Sequence, residues 1–393
     1  MFRVVLGFLS ITDLLSVSQV SHLLQDEAWK EMMTRPIRLA HNTQNLHSFR
    51  RFLTNGDPSL RFLLRTLTFF YIPRPTGVFN RQRDGPLPLV KNIVQIVCDA
   101  RDLHTLSIVY CDWILEDASF QPILRDTFSR LRNLRRLNIR TVDSDSPYEN
   151  VEQLVLSLPR GILVALEIHM AGEPPDLATP REFPNILPEY QPRLKELSLL
   201  YPTFSKKHWK PFMHVRKAYI TCKPEFQHLY LPHIAETFPN AKELRIGIRV
   251  LTLDPLHESA ALQNQRDDAR HFQASGGGWK SLDFLQGSGA DLFALCVTCP
   301  VRRVTFKGYV ATSNEQYRDV IAHARPRRVD LDLHWTEWQE PNQLPDPSIF
   351  LYDTGAVSHL VMMLSLQVFP RPQNITKGIL VRSFSEKPTE TPF

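Results

Sequence analysis

Along most of this chain one short phrase recurs: an apolar residue, a residue that is basic in eight of ten copies, any residue, then apolar residues at the fourth and sixth positions. The ten copies are LRTLTF from Leu64, LHTLSI from Leu103, LRRLNI from Leu134, LVALEI from Leu163 and LKELSL from Leu194. VRKAYI from Val215, AKELRI from Ala241, WKSLDF from Trp279, VRRVTF from Val301 and PRRVDL from Pro326 complete them. The neighbours of the fourth and sixth positions are mostly polar, the alternation of a short strand that buries one face. Starts lie 21 to 39 residues apart with a mean near 29, so the period is irregular.

Several phrases follow a stretch with helical spacing of apolar residues: 89–100, 120–131, 151–158, 291–297 and 315–324. A helix and a strand joined by short connections bury neither apolar face alone. Neighbouring units must stack, which predicts an α/β solenoid with a parallel sheet. Four stretches, 72–88, 171–193, 253–278 and 370–393, read as loops or linkers from their Pro, Gly and polar content. The triple glycine at 276–278 follows a polar run and reads as a surface insertion, since a phosphate-binding loop requires a strand before it and a helix after it.

The phrase resembles the leucine-rich repeat in the degenerate form found in many fungal proteins, over Leu64 to Leu331. That family places Asn or Cys three residues after the last strand apolar position. Here only Cys111 obeys, and Val142, Pro202, Lys223 and Gly287 stand at equivalent places. Strand and helix stacking is therefore expected without a regular horseshoe.

Ahead of the first phrase, VVLGFLSITDLLSVSQVSHLLQDEAWKEMMTRPIRL is a compact helical pattern. Thr12 or Asp13 is expected to cap a helix in which Leu14, Val17 and Leu24 share a buried face. Val5, Leu6, Phe8 and Leu9, then Asp13, Leu14 and Leu15, then Val20, then Trp29 follow the order and spacing of an F-box, which this segment resembles. The Leu-Pro pair that opens the family's motif has no counterpart, so the unit is expected to be truncated at its start. The resemblance implies a substrate-recognition adaptor of an SCF-type cullin-RING ubiquitin ligase. Leu6, Phe8, Leu9, Asp13, Leu14, Leu15, Val20 and Trp29 would bind the linker subunit and, through it, a cullin, and the repeats would bind a target protein. The alternative is a repeat scaffold without ligase attachment, its N-terminal helices only capping the solenoid. The expected organisation is 1–45 as the F-box-like unit, 46–369 as the solenoid and 370–393 as a disordered tail.

The third, fifth and seventh phrase positions point away from the core. Arg136, Arg140, His169, Lys217, Tyr219, Arg245, Arg303 and Arg328 are the expected target contacts, because Tyr and Arg dominate interface energetics. The full outward set mixes both signs, which suits a protein better than nucleic acid. A net charge of +5 is spread along the chain, and the arginines at 125–140 belong mostly to the repeat register. Five cysteines in 393 residues fit a reducing, intracellular location, cytoplasmic or nuclear. The N-terminal apolar run would suit a signal peptide, but Asp13 interrupts it. The apolar stretch 360–369 is too short to span a membrane.

No P-loop, G-x-S-x-G or H-E-x-x-H motif is present, and 15 glycines against 30 prolines give phosphate-cradling loops little material. Cys296 and Cys299 form a lone CxxC inside an apolar segment and read as buried structural thiols. Cys222, His228 and His233 would be three metal ligands without a fourth. A non-enzymatic protein without cofactor or metal is expected.

Overall fold

A computed structural model of the chain describes residues 2–40, 43–70, 86–110, 115, 119–141, 148–170, 187–200, 210–222, 231–248, 255–309, 313–336, 348–351, 357–367 and 382–384. It is an α/β structure of parallel strands alternating with helices, and the chain divides into two compact units, Met1–Leu194 and Lys195–Phe393.

The first unit opens with helices α1 (Phe2–Phe8), α2 (Ile11–Val17) and α3 (His22–Thr34), then β1 (Ile37–Ala40), α4 (Thr43–Asn55) and a 3-10 turn at Pro58–Phe62. It continues with β2 (Thr66–Phe70), α5 (Pro86–Asp99), β3 (Thr105–Val109), α6 (Gln121–Ser129), β4 (Arg136–Thr141), α7 (Tyr148–Ser157), β5 (Ala165–Met170) and α8 (Leu187–Tyr190). Strands β1 to β5 pair in chain order, all parallel. Their inward side chains form two apolar rows, Ile37, Leu67, Leu106, Leu137 and Leu166, then Leu39, Phe69, Ile108, Ile139 and Ile168.

The second unit contains β6 (Glu196–Leu200), β7 (Lys217–Cys222), α9 (Leu231–Thr237), β8 (Glu243–Ile248), α10 (Pro255–Ala274), β9 (Leu282–Gly287) and α11 (Gly289–Leu295). It ends with β10 (Val301–Tyr309), α12 (Asn314–Ala324), β11 (Arg328–Thr336), α13 (Ser348–Leu351), β12 (His359–Gln367) and β13 (Arg382–Phe384). Strands β6 to β12 pair in chain order and in parallel; β13 adds to β12 in antiparallel. The core rows run Leu197, Ala218, Leu244, Leu285, Val304, Val329 and Leu360, then Leu199, Ile220, Ile246, Gly287, Phe306, Leu331 and Met362. Each fully buried leucine or isoleucine in such a row contributes about 1.5–3 kcal/mol relative to exposure.

One backbone arrangement recurs from strand to strand. The carbonyl of the second phrase residue accepts two N–H groups, from the second and third residues of the next phrase. Arg65 accepts from His104 and Thr105, His104 from Arg135 and Arg136, Arg216 from Lys242 and Glu243, and Lys242 from Asp283 and Phe284. The second position therefore stands at the start of the strand, where Arg65, Arg135, Lys195, Arg216 and Lys242 are exposed, a place that suits long basic residues.

Every phrase corresponds to a strand, but the eighth is displaced. Leu285 and Gly287, not Leu282 and Phe284, stand in the core rows, so the repeating phrase is LDFLQG from Leu282 and Phe284 faces outward. Trp279 imitates the first apolar residue; it is instead buried ahead of the strand, its indole N–H donating to the Phe238 carbonyl at 2.8 Å.

The stretch 253–278, expected as a loop, holds the 20-residue helix α10. Over its C-terminal half only Arg266 and Ala269 are buried. Arg266 pairs with Asp319 of α12 and lies 4.2 Å from the centre of the Phe293 ring of α11. The glycines that follow end the helix, Gly276 and Gly278 with φ of +88° and +96°.

The expected boundary at residue 45 falls inside α4, and the 46–369 stretch is shared by both units. Within the expected tail, Arg382–Phe384 is a strand, and the rest of 370–393 lies outside the described residues.

Candidate binding surfaces

At the N-terminus the expected single helix over Asp13–Leu24 is two. Ser10 caps α2 in a reciprocal box: its hydroxyl accepts from Asp13 N–H at 3.2 Å and the Asp13 carboxylate accepts from Ser10 N–H at 3.2 Å. The hydrogen bonds from Ser10 hold the Asp13 carboxyl below its usual range. Ser21 then caps α3 by accepting from Leu24 N–H. Between them lies Ser18-Gln19-Val20, in which Ser18 and Val20 are weaker helix formers, and Ser18 Oγ donates to the Leu15 carbonyl.

Leu6, Leu14 and Ala28 form the core of this unit, with Leu9, Val17 and Met32 packed on it. Arg35 fastens α1 to α3. Its guanidinium donates to the carbonyls of Leu6 (2.9 Å), Gly7 (3.1 Å) and Leu9 at the end of α1, and to Glu31 at 3.1 Å.

This arrangement sorts the eight expected linker-subunit contacts. Leu6 and Leu14 are core residues, a correction: their side chains are consumed in holding the helices together. Trp29 is half-buried and turned onto Phe52 of α4, edge to face at 5.1 Å, so it ties the helices to the repeats. Leu9 is half-buried on the core. Phe8, Leu15 and Val20 are exposed, with Phe8 at 87%, and Asp13 is exposed beside them in the cap. Val4, Val5, Ile11 and Leu23 are exposed as well, signalled in the sequence only by an apolar run longer than one buried face requires. Seven of the eleven large exposed apolar side chains among the described residues lie within Val4–Leu23.

No known protein family and no curated protein matches this chain.

On the strand faces, Arg136, Arg140, His169, Lys217, Tyr219, Arg245, Arg303 and Arg328 all stand on outward rows, none of them buried. In the first unit Arg140 and His169 are in register and converge on Glu167: Arg140 Nε donates to its carboxylate at 3.0 Å and His169 Nε2 lies 3.4 Å from it. Burial holds His169 below its usual value of 6.5; Glu167 opposes this and Arg140 adds to it. Arg136 stands two residues before Arg140's neighbour Asn138 in the same strand, exposed.

In the second unit Lys217 pairs with Glu243 at 3.2 Å, and Tyr219 is in register with Arg245. Arg245 and Arg303 both lie over Phe284, their guanidinium carbons 5.2 and 5.3 Å from its ring centre. Arg303 and Arg328 both donate through Nε to Asp330, Arg328 at 2.8 Å. Thr305 adds a longer contact at 3.4 Å, and Asp330 is fully buried beneath these partners.

Cys296 and Cys299 are buried, and burial pushes the Cys299 thiol up to about 11, away from nucleophilic or metal-binding chemistry. Among the described residues no group of His, Cys, Asp and Glu is placed to hold a metal; His228 lies outside them. Among those residues no helix is long and apolar enough to cross a membrane.

Proposed function

We propose that the chain is a non-catalytic adaptor of an SCF-type cullin-RING ubiquitin ligase, with an F-box-like unit at α1–α3 that binds the linker subunit and degenerate leucine-rich repeats that select a protein target. The observation that carries this reading is the exposed apolar surface of Phe8, Ile11, Leu15, Val20 and Leu23 on a helical unit whose own core is complete without them. Seven exposed large apolar side chains within one segment of 20 residues support an interaction surface there. The strand faces offer the second requirement, outward rows of Arg, Lys, Tyr and acidic residues suited to a protein partner.

The contact of Trp29 with Phe52 favours a second reading, a scaffold in which α1–α3 only seal the end of the repeats. Co-purification with the linker subunit separates the two. The Phe8→Asp, Leu15→Asp double variant alters exposed side chains alone, so it should fold as the wild type does and lose the linker subunit. Absence of the linker subunit from wild-type preparations would leave the scaffold.

A further inference from the structure

Along the edge where the strands of the second unit begin, we infer a binding line for the phosphodiester backbone of duplex nucleic acid, built from the second position of each repeat. It uses neither the outward rows offered to a protein target nor α1–α3. The backbone holds these positions in file. The Lys195 carbonyl accepts from Arg216 and Lys217, Arg216 from Lys242 and Glu243, Lys242 from Asp283 and Phe284, and Arg327 from Ser358 and His359. The register of β10 with β9 and β11 sets Arg302 between Asp283 and Arg327. Lys195, Arg216, Lys242, Arg302 and Arg327 therefore follow one another along the edge, all exposed, with Asp283 in the one remaining place. Neighbouring strands lie about 4.8 Å apart, so the line runs for roughly 24 Å.

The edge carries one sign. No Asp or Glu occurs in 210–216, 238–242, 275–282, 296–302 or 325–327, the segments that lead into β7 to β11, although the chain as a whole holds 41 acidic against 46 basic residues. Lys280 and Arg325 add two more exposed cations there. Among the described residues the five cations of the line meet a carboxylate only where Arg302 lies 3.9 Å from the exposed Asp283. Arg216 donates to the Asn240 carbonyl at 2.8 Å and Lys242 to the Ser281 hydroxyl at 3.3 Å, neutral partners that leave both charges uncompensated. A file of like charges complements a regular polyanion, whose condensed counterions are released on contact. Phe212, Phe238 and Trp279 are buried in the entering segments, so no exposed ring stands there to stack on unpaired bases, which favours a duplex over a single strand. Met213 is the one large exposed apolar side chain among the described residues of this unit, too little to enter a bilayer.

The test is fluorescence anisotropy of the full chain with a labelled mixed-sequence duplex, DNA in one arm and RNA in the other, titrated at about 50 and 200 mM salt. Neutralising about four or five phosphates should weaken binding by roughly 150- to 500-fold between those two conditions. Arg216→Gln, Lys242→Gln and Arg302→Gln together should flatten the slope of log affinity against log salt by about 2–3. Arg51→Gln, Lys91→Gln and Arg125→Gln remove the same charge from exposed positions on α4, α5 and α6 and should leave the slope unchanged. Asp283→Asn should tighten binding, a gain that misfolding does not produce. The arm that binds more tightly identifies the nucleic acid. Absence of duplex binding at the lower salt overturns the inference, as does an equal loss from the helix variants or unchanged or weaker binding by Asp283→Asn. Tighter binding of polyglutamate or of phosphatidylserine vesicles than of either duplex overturns it as well. Linker-subunit capture is unaffected by any of these results, so failure here is distinguishable from failure of the adaptor reading.

Discussion

At the scale of single residues, the outward face is organised by shared partners rather than by isolated pairs. Glu167 serves Arg140 and His169, and Asp330 serves Arg303 and Arg328. Each carboxylate thereby fixes two neighbouring side chains on the outward face. His169 adds a pH dependence. Its folded pKa lies below the unfolded value of 6.5, chiefly through burial, so the neutral ring stabilises the fold fully above 6.5. That contribution is lost as pH falls through the lower folded value. Thermal melting from pH 7.5 to 5 should therefore show a steeper loss of stability in the wild type than in His169→Gln; parallel curves would contradict it.

At the scale of elements, the strands were legible because their fourth and sixth positions alternate so regularly against polar neighbours. The one misplacement, WKSLDF for LDFLQG, arose because Trp279 and Leu282 reproduce the phrase three residues early, and it assigned the ring of Phe284 to the core. Glycine concealed the true register, since Gly287 occupies an apolar row. A Cβ there would stand 2.8 Å from Leu292 Cδ2 and 3.4 Å from the Ile246 carbonyl, so only glycine lets α11 close on β9. Gly287→Ala should cost on the order of 1–3 kcal/mol in denaturant titration. Gly7→Ala, in open space on α1, should be neutral or stabilise by up to about 1 kcal/mol. Equal effects would refute the packing account. Helix α10 was illegible for a related reason: side chains that face its neighbours are polar, Arg266 paired with Asp319 and set over the Phe293 ring and Gln273 bonded to Cys296 and Thr298, partners not visible in a local window. In the N-terminal unit the order of features was readable, but which apolar residues are core and which are exposed depended on the break at Ser18–Ser21 and on Arg35.

At the scale of the whole molecule, the sequence describes one repeat architecture preceded by helices, and the structure distributes it over two compact units, each with its own sheet rows and core. The functional claim joins features at two ends of that organisation: an apolar helical surface in the first unit and charged strand faces in both. The measurement that tests it most directly is hydrogen–deuterium exchange of the full chain with and without the purified linker subunit. The account predicts slowed exchange confined to residues 4–23, where Phe8, Leu15, Val20 and Leu23 are exposed. Unchanged exchange there at saturating linker subunit, or slowing only on the strand faces, would contradict it.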